Sequence, residues 1–139
     1  MTPGGDMKVA QLMVTDLRAV EPDTTVGEAV ALMSEYHISA LPILDTHDHL
    51  VGVVSTTDVL EAVSERSDAD SRQQLFESTS VRDIMTPRPS VVALDTDVKE
   101  AAQQMLYLEV RRLFVEDHGV LVGVISQSDI VRGVATAKI

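Results

Sequence analysis

Leu50-Val-Gly-Val-Val-Ser-Thr-Thr-Asp58 and Leu121-Val-Gly-Val-Ile-Ser-Gln-Ser-Asp129 are almost the same stretch, met twice. Each is an apolar, β-branched run that ends at a serine, with a carboxylate three residues on. The run reads as a strand. The Ser-x-x-Asp that closes it reads as a helix start, because a serine oxygen accepts from a free helix amide while the acid reaches back to the cap. A strand that passes straight into a helix, found twice, is the unit from which the rest of the chain can be read.

Working outward, the two stretches are 71 residues apart (129 − 58), and further upstream the offset is 72 (85 − 13). Val9, Met13 and Val20 meet Val81, Met85 and Val92. Val26, Glu28, Ala29 and Met33 meet Val98, Glu100, Ala101 and Met105. Leu41 and Asp45 meet Leu113 and Asp117, and the loop after Asp45 is one residue longer. Order and spacing kept over this length mark an internal repeat. Each half opens with Val-x-x-Leu-Met or Val-x-x-Ile-Met and an extended segment ending near Val20 or Val92. Thr25-Val-Gly-Glu28 and Asp97-Val-Lys-Glu100 then fit a capping box. Behind the caps, Val26, Ala29, Val30, Met33 and Tyr36, and Val98, Ala101, Ala102, Met105 and Leu108, recur at helical spacing. Strands are expected at Leu41–Leu44, Leu50–Val54, Leu113–Val115 and Val120–Ile125, and second helices after Ser55 and Ser126.

The fold class is therefore mixed α/β (α+β), with β-α-β-β-α repeated in tandem. A unit of this size buries little surface alone, so the two halves are expected to share a core. The expected layout is a disordered lead at 1–6, a first repeat at 7–63, a linker at 64–80, a second repeat at 81–136 and a tail at 137–139. The linker is polar and matches nothing in the repeat. It is expected to be solvated, with Leu75 and Phe76 anchoring at most a helical turn.

Composition narrows the function. In 139 residues, 11 Lys and Arg stand against 22 Asp and Glu, a formal charge of −11, with two Tyr, two Phe and no Trp. Nucleic acid draws on basic surface and stacking platforms, and this chain is poor in both. With no Cys there is no disulfide or thiolate metal site. No apolar run reaches the length of a membrane span, and residues 1–6 lack signal-peptide character, so a cytoplasmic location is expected. His47-Asp48-His49 reads as a solvated turn and not as a metal site. No Ser-His-Asp arrangement or Gly-x-x-x-x-Gly-Lys loop is present, so no catalytic residues are assigned.

The ordered set formed by Val81-Arg-Asp-Ile-Met-Thr-Pro87, Ile38-Ser-Ala-Leu-Pro-Ile43 and the two Gly-x-x-Ser-x-x-Asp endings resembles the cystathionine-β-synthase (CBS) repeat. In pairs this repeat forms a Bateman module. The resemblance covers residues 7–63 and 81–136. It implies two repeats related by a pseudo-two-fold axis, usually dimerising into a homodimer. It also implies a regulatory role: binding of an adenosine ligand (AMP, ADP or ATP, less so S-adenosylmethionine) in clefts between the repeats, with no required cofactor and a conformational signal passed to an effector protein. Carried over residue by residue, Ser55 and Ser126 would donate to a phosphate, and Asp58 and Asp129 would accept the ribose hydroxyls. The adenine would lie against Ile38, Ala40, Leu41 and Pro42 in one site, and against Val110, Leu113 and Phe114 in the other. Thr15 and Thr86 fall beside these slots.

The halves differ where charge matters. The first repeat opens with Thr15-Asp16, the second with Pro87-Arg88. Asp16 would repel a phosphate at the first site, and Arg88 would attract one at the second. Phe114 replaces Pro42, narrowing the slot or stacking on the base. Arg111 and Arg112 replace Ser39 and Ala40, either clamping phosphate or balancing surface charge. A second reading stays open: each Ser-x-x-Asp only caps a helix, and the chain is a dimerising or protein-interaction module without a ligand.

Overall fold

The computed structural model describes residues 7–137. The expected lead at 1–6, and positions 138 and 139 of the expected tail, lie outside the described residues. The elements run α1 (Val9–Leu12), α2 (Val26–Glu35), β1 (Ala40–Leu44), β2 (Leu50–Ser55), α3 (Thr56–Ser64), α4 (Ala69–Ser78), a 3-10 turn (Val81–Asp83), β3 (Thr86–Pro87), β4 (Val91–Ala93), α5 (Val98–Leu108), β5 (Arg112–Asp117), β6 (Val120–Ser126) and α6 (Gln127–Thr136).

Two three-stranded sheets result, ordered β1-β2-β3 and β4-β5-β6. In the first, both pairings are antiparallel. In the second, β4 runs parallel to β5, and β5 antiparallel to β6. They are variants of one pattern. The strand equivalent to β4 shrinks in the first sheet to a parallel bridge, Val20 to Ile43, and the equivalent of β3 shrinks in the second to an antiparallel bridge, Val14 to Val124. Even the register shifts recur, at Ile43/Leu44 and Val115/Glu116.

These bridges show how the repeats are divided. One compact unit holds the chain up to Leu17 together with the stretch from Ser90 onward, and the other is Arg18–Pro89. Each repeat's opening segment thus belongs to the unit built on the other repeat. In place of the expected common core, each unit has a core of its own, completed by the opening borrowed from the other repeat. In the first, Val9 is buried with Val98, Ala101, Met105, Leu113, Val115 and Ile125. In the second, Val81 is buried with Ala29, Met33, Leu41, Ile43 and Val54.

The linker departs from expectation. Residues 69–78 form a full helix, α4, capped by Asp68, whose Oδ1 accepts from the Ser71 amide at 2.7 Å. Leu75 is completely buried, against Val26 and Ala62. A polar sequence folds here because one apolar side chain finds a slot between α2 and α3. The helix caps also divide. Thr25 Oγ1 accepts from the Glu28 amide at 3.1 Å as expected. Asp97 makes no side-chain cap bond; its Oδ1 instead takes the Lys8 ammonium at 2.6 Å, on the borrowed opening.

Candidate functional site

At the start of α3, the strand ends at Ser55 and the helix begins with no intervening loop. Ser55 Oγ accepts from the Asp58 amide at 3.2 Å. In return, Asp58 Oδ2 accepts from the Ser55 amide at 2.8 Å and from its hydroxyl at 3.0 Å. The start of α6 repeats this: the Asp129 amide donates to Ser126 Oγ at 3.1 Å, and the Ser126 amide to Asp129 Oδ2 at 2.9 Å. Both capping boxes are complete. The first helical amides are engaged too, Thr56 on the Ser39 carbonyl at 3.0 Å and Gln127 on that of Arg111 at 2.9 Å. Two of the first three amides at each start are therefore spent inside the protein, fewer free donors than the sequence suggests.

Capping consumes Oδ2 and leaves Oδ1 of each aspartate directed elsewhere. A carboxylate offers about four lone-pair sites, so each Oδ1 keeps acceptor capacity beyond one donor. Here the two sites part. Asp58 Oδ1 accepts from the Thr86 hydroxyl at 3.1 Å. Asp129 Oδ1 accepts from the Arg132 guanidinium at 2.9 Å. The cause lies in the openings. Thr86 is held beside Asp58 because β3 pairs with β2, Thr86 opposite Val53. In the other unit the matching bridge is Val14 to Val124. Valine has no hydroxyl to offer, and Arg132, one turn into α6, takes the oxygen instead.

The signature glycines belong to the same arrangement. A Cβ on Gly52 would lie 3.2 Å from Met85 Cγ and 3.1 Å from the Thr86 carbonyl oxygen; one on Gly123 would lie 2.7 Å from Met13 Sδ. An added Cβ would press on both the methionine side chain and a backbone carbonyl of the borrowed opening, so glycine favours this close approach to the strand. In this chain, therefore, the glycine of Gly-x-x-Ser-x-x-Asp seats the opening that brings Thr86 to Asp58.

The residues singled out from sequence fall into two groups, one per unit. Ile38, Ala40, Leu41, Pro42, Ser55, Asp58, Thr86 and Arg88 all belong to Arg18–Pro89. Thr15, Val110, Arg112, Leu113, Phe114, Ser126 and Asp129 all belong to the other unit. The association of Asp16 with the first site and Arg88 with the second is thereby corrected: exchange of the openings puts Arg88 in the unit of Asp58, and Asp16 in the unit of Asp129. Leu41, Pro42, Leu113 and Phe114 are buried, while Ile38 and Val110 keep partial exposure. In strand register, Ala40 is opposite Ser55, and Arg112 is opposite Ser126. Arg88 has a left-handed backbone, φ 52°, just past β3. The His47 turn is tied by Asp45 Oδ1, which accepts from the His47 and His49 amides at 2.8 and 3.0 Å. Among the described residues, no group of three or more acidic or histidine side chains is placed to hold a metal ion. Nor is any described helix long and apolar enough to cross a membrane.

The CBS domain family profile matches residues 9–65 and 81–136, one repeat each. The chain belongs to the CBS domain family. Among curated CBS relatives, the chloroplastic protein CBSX2 of Arabidopsis thaliana is 34% identical over 144 residues, covering 88% of this chain and 60% of that protein. Inosine-5'-monophosphate dehydrogenase of Methanocaldococcus jannaschii is 33% identical over 126 residues, covering 90% of this chain but 23% of the dehydrogenase. The chain thus spans about a quarter of the dehydrogenase and three-fifths of the plant protein. Solved CBS-pair structures agree in fold. CBSX2 from Arabidopsis thaliana superposes with a TM-score of 0.79 at 33% identity, covering 94% of this chain and 95% of that one. A structure of CBSX2 in complex with AMP gives 0.77 at 35% identity, covering 92% and 96%.

Arg132 and the role of the glycines are functional features that the sequence motifs do not single out. Arg132 was visible as a cation three residues after Asp129. The glycine contacts were not, since nothing in a one-dimensional repeat says which unit each opening joins.

Proposed function

We propose that this CBS pair is a regulatory module, not a catalyst, that binds an adenine nucleotide beside the starts of α3 and α6. The observation that carries this is the division of labour within each aspartate. Oδ2 closes the cap and fixes the carboxylate, leaving Oδ1 as an oriented acceptor for a ribose hydroxyl. The amides of Thr57 and Ser128 and the Ser126 hydroxyl supply donors for a phosphate at a helix start, while the Ser55 hydroxyl would first have to leave Asp58 Oδ2. Ile38 and Val110, partly exposed above buried Leu41 and Leu113, offer apolar surface for the base. The AMP-bound CBSX2 structure supports the class of ligand. The candidates are AMP, ADP and ATP, with S-adenosylmethionine less favoured.

Titration calorimetry with each ligand tests this. A hydrogen bond to a charged acceptor contributes about 1.5–3 kcal/mol, so Asp58→Asn or Asp129→Asn weakens its own site by roughly 10- to 100-fold while retaining a cap acceptor. Unchanged affinity in both variants would exclude the ribose role.

The alternative, a dimerising or protein-interaction module with no ligand, is favoured by one observation: both Ser-Asp pairs are complete caps without any ligand. A shift in thermal stability with a partner protein but with no nucleotide would select it. Either reading includes a homodimer. Leu60 on α3 and Val131 on α6, equivalent positions, are 68% and 67% exposed, and Leu106 and Tyr107 on α5 are 74% and 87% exposed. Beside Leu60 lies an apolar groove of about 400 Å³ lined by Val30, Met33, Ile38, Val59 and Val63. The proposed second copy would pack on the exposed Leu60 face, while the Ile38 end of this groove is the surface offered to the base. The reading keeps a cytoplasmic location as its expectation, which the plant relative, described as chloroplastic, does not share.

A further inference from the structure

The two helix starts are built alike but charged differently. Arg111 passes its carbonyl to the first amide of α6, Arg112 stands across the sheet from Ser126, and Arg132 is bonded to Asp129. At α3 the matching positions are Ser39, Ala40 and Glu61: Ser39 passes its carbonyl to the first amide, and Ala40 stands across from Ser55. Three cationic positions at one start thus correspond to one anionic and two neutral positions at the other, a difference of four charges. The openings reduce this to two, because Asp16 belongs to the α6 unit and Arg88 to the α3 unit. With Asp58 and Asp129 each contributing one negative charge, and Arg18, which packs over Tyr36 in the α3 unit, adding one positive charge there, the α6 start is left net positive and the α3 start close to neutral.

We propose that the two nucleotide sites have different preferences: the α6 site takes the phosphate-rich ligand, an adenosine di- or triphosphate, and the α3 site takes the monophosphate or the nucleoside. Arg132 is the residue that sets the difference. This rests on the nucleotide reading above and adds the ligand class of each site. The physical reason is that a planar guanidinium can exchange one oxyanion for another. The Arg132 side chain is 73% exposed while Asp129 is 12% exposed, so the arginine end of the pair is the mobile one. When a ribose hydroxyl occupies Asp129 Oδ1, Arg132 can move from the carboxylate to a phosphate oxygen with little net loss, because its guanidinium end is solvent-exposed. At α3 the donor on Oδ1 is the neutral Thr86, and one turn on stands Glu61, which repels each added phosphate.

The test uses the full chain and reads each site separately. AMP and ATP are titrated while the amide resonances of Thr56–Asp58 and of Gln127–Asp129 are followed by two-dimensional NMR, giving one dissociation constant per site and ligand. The ratio of ATP to AMP affinity is expected to be higher at α6 than at α3 by at least about tenfold at low salt, and the gap to narrow as salt is raised. Arg132→Glu should lower the α6 ratio by about that factor while leaving the α3 ratio unchanged. Arg132→Lys should keep most of it, and Glu61→Arg should raise the α3 ratio. Equal ratios at both sites, or an Arg132→Glu chain with its α6 ratio intact, overturn the proposal while leaving nucleotide binding in place. If neither set of amides moves with either nucleotide, the nucleotide reading falls, and this inference with it.

Discussion

Gly27→Ala sets two effects of opposite sign against each other. Gly27 is in the first turn of α2, and intrinsic helix propensity alone favours alanine there by up to about 1 kcal/mol. The structure argues the other way. A Cβ on Gly27 would lie 2.6 Å from the carbonyl oxygen of Phe76 and 3.3 Å from its carbon, both backbone atoms of α4. Ordinary C···O contact begins near about 3.3 Å, so α4 would have to withdraw by roughly 0.7 Å. Backbone cannot rotate aside as a side chain can, and α4 is held by Leu75, fully buried against Val26 and Ala62. Overpacking of this kind costs about 1–3 kcal/mol. Packing therefore wins, with a net loss near 1–2 kcal/mol, or a fall in Tm of roughly 3–8 °C for a domain of this size. Differential scanning calorimetry of parent and variant under identical conditions measures it. A variant melting at or above the parent would refute the docking of α4 on α2 and return the linker to the solvated segment that its composition suggests.

Leu75→Ala, which empties the slot without touching any helix backbone, should cost about 2–5 kcal/mol by chemical denaturation, far above the effect of a change in a solvated linker. Gly52→Ala should displace Met85 and β3 together, so that loss of the Thr86 to Asp58 bond appears as a shifted Asp58 amide resonance even before a drop in Tm. In the Asp45 turn, hydrogen bonds from the His49 and His47 amides hold the Asp45 carboxyl below its usual value of 3.8. A folded-state value below the unfolded one gives stability that is present above the unfolded pKa and is lost as pH falls through the folded one. Asp45→Asn should therefore lower stability at neutral pH, where the carboxylate contribution is fully present, and the difference from the parent should close as pH falls below about 4. For the proposed homodimer, Leu60→Glu at an exposed apolar position should shift light-scattering mass toward one chain; an unchanged mass would refute pairing through the Leu60 face.

Much of the molecule was legible in one dimension because it depends on local rules. The Ser-x-x-Asp boxes formed as spacing demands, since cap and acid are three residues apart and need no distant partner. The short apolar, β-branched runs at Leu41–Leu44 and Leu113–Val115, bounded by turn residues, placed the strands to within a residue or two. Where an outcome required a choice between distant partners, sequence did not decide. Asp97 resembles Thr25 as a cap, yet it binds Lys8, which is far off along the chain.

The repeat, its β-α-β-β-α order and the paired aspartates were thus settled by the sequence itself, through periodicity, capping and duplication. Only the tertiary structure decided that the openings change places, that Leu75 pins a helix in the linker, and that Asp58 meets a threonine while Asp129 meets an arginine. The reason is that two like repeats present nearly equal docking edges. Which opening fills which edge, and so which charge arrives at which carboxylate, depends on packing around Gly52 and Gly123 and not on any neighbour in the chain.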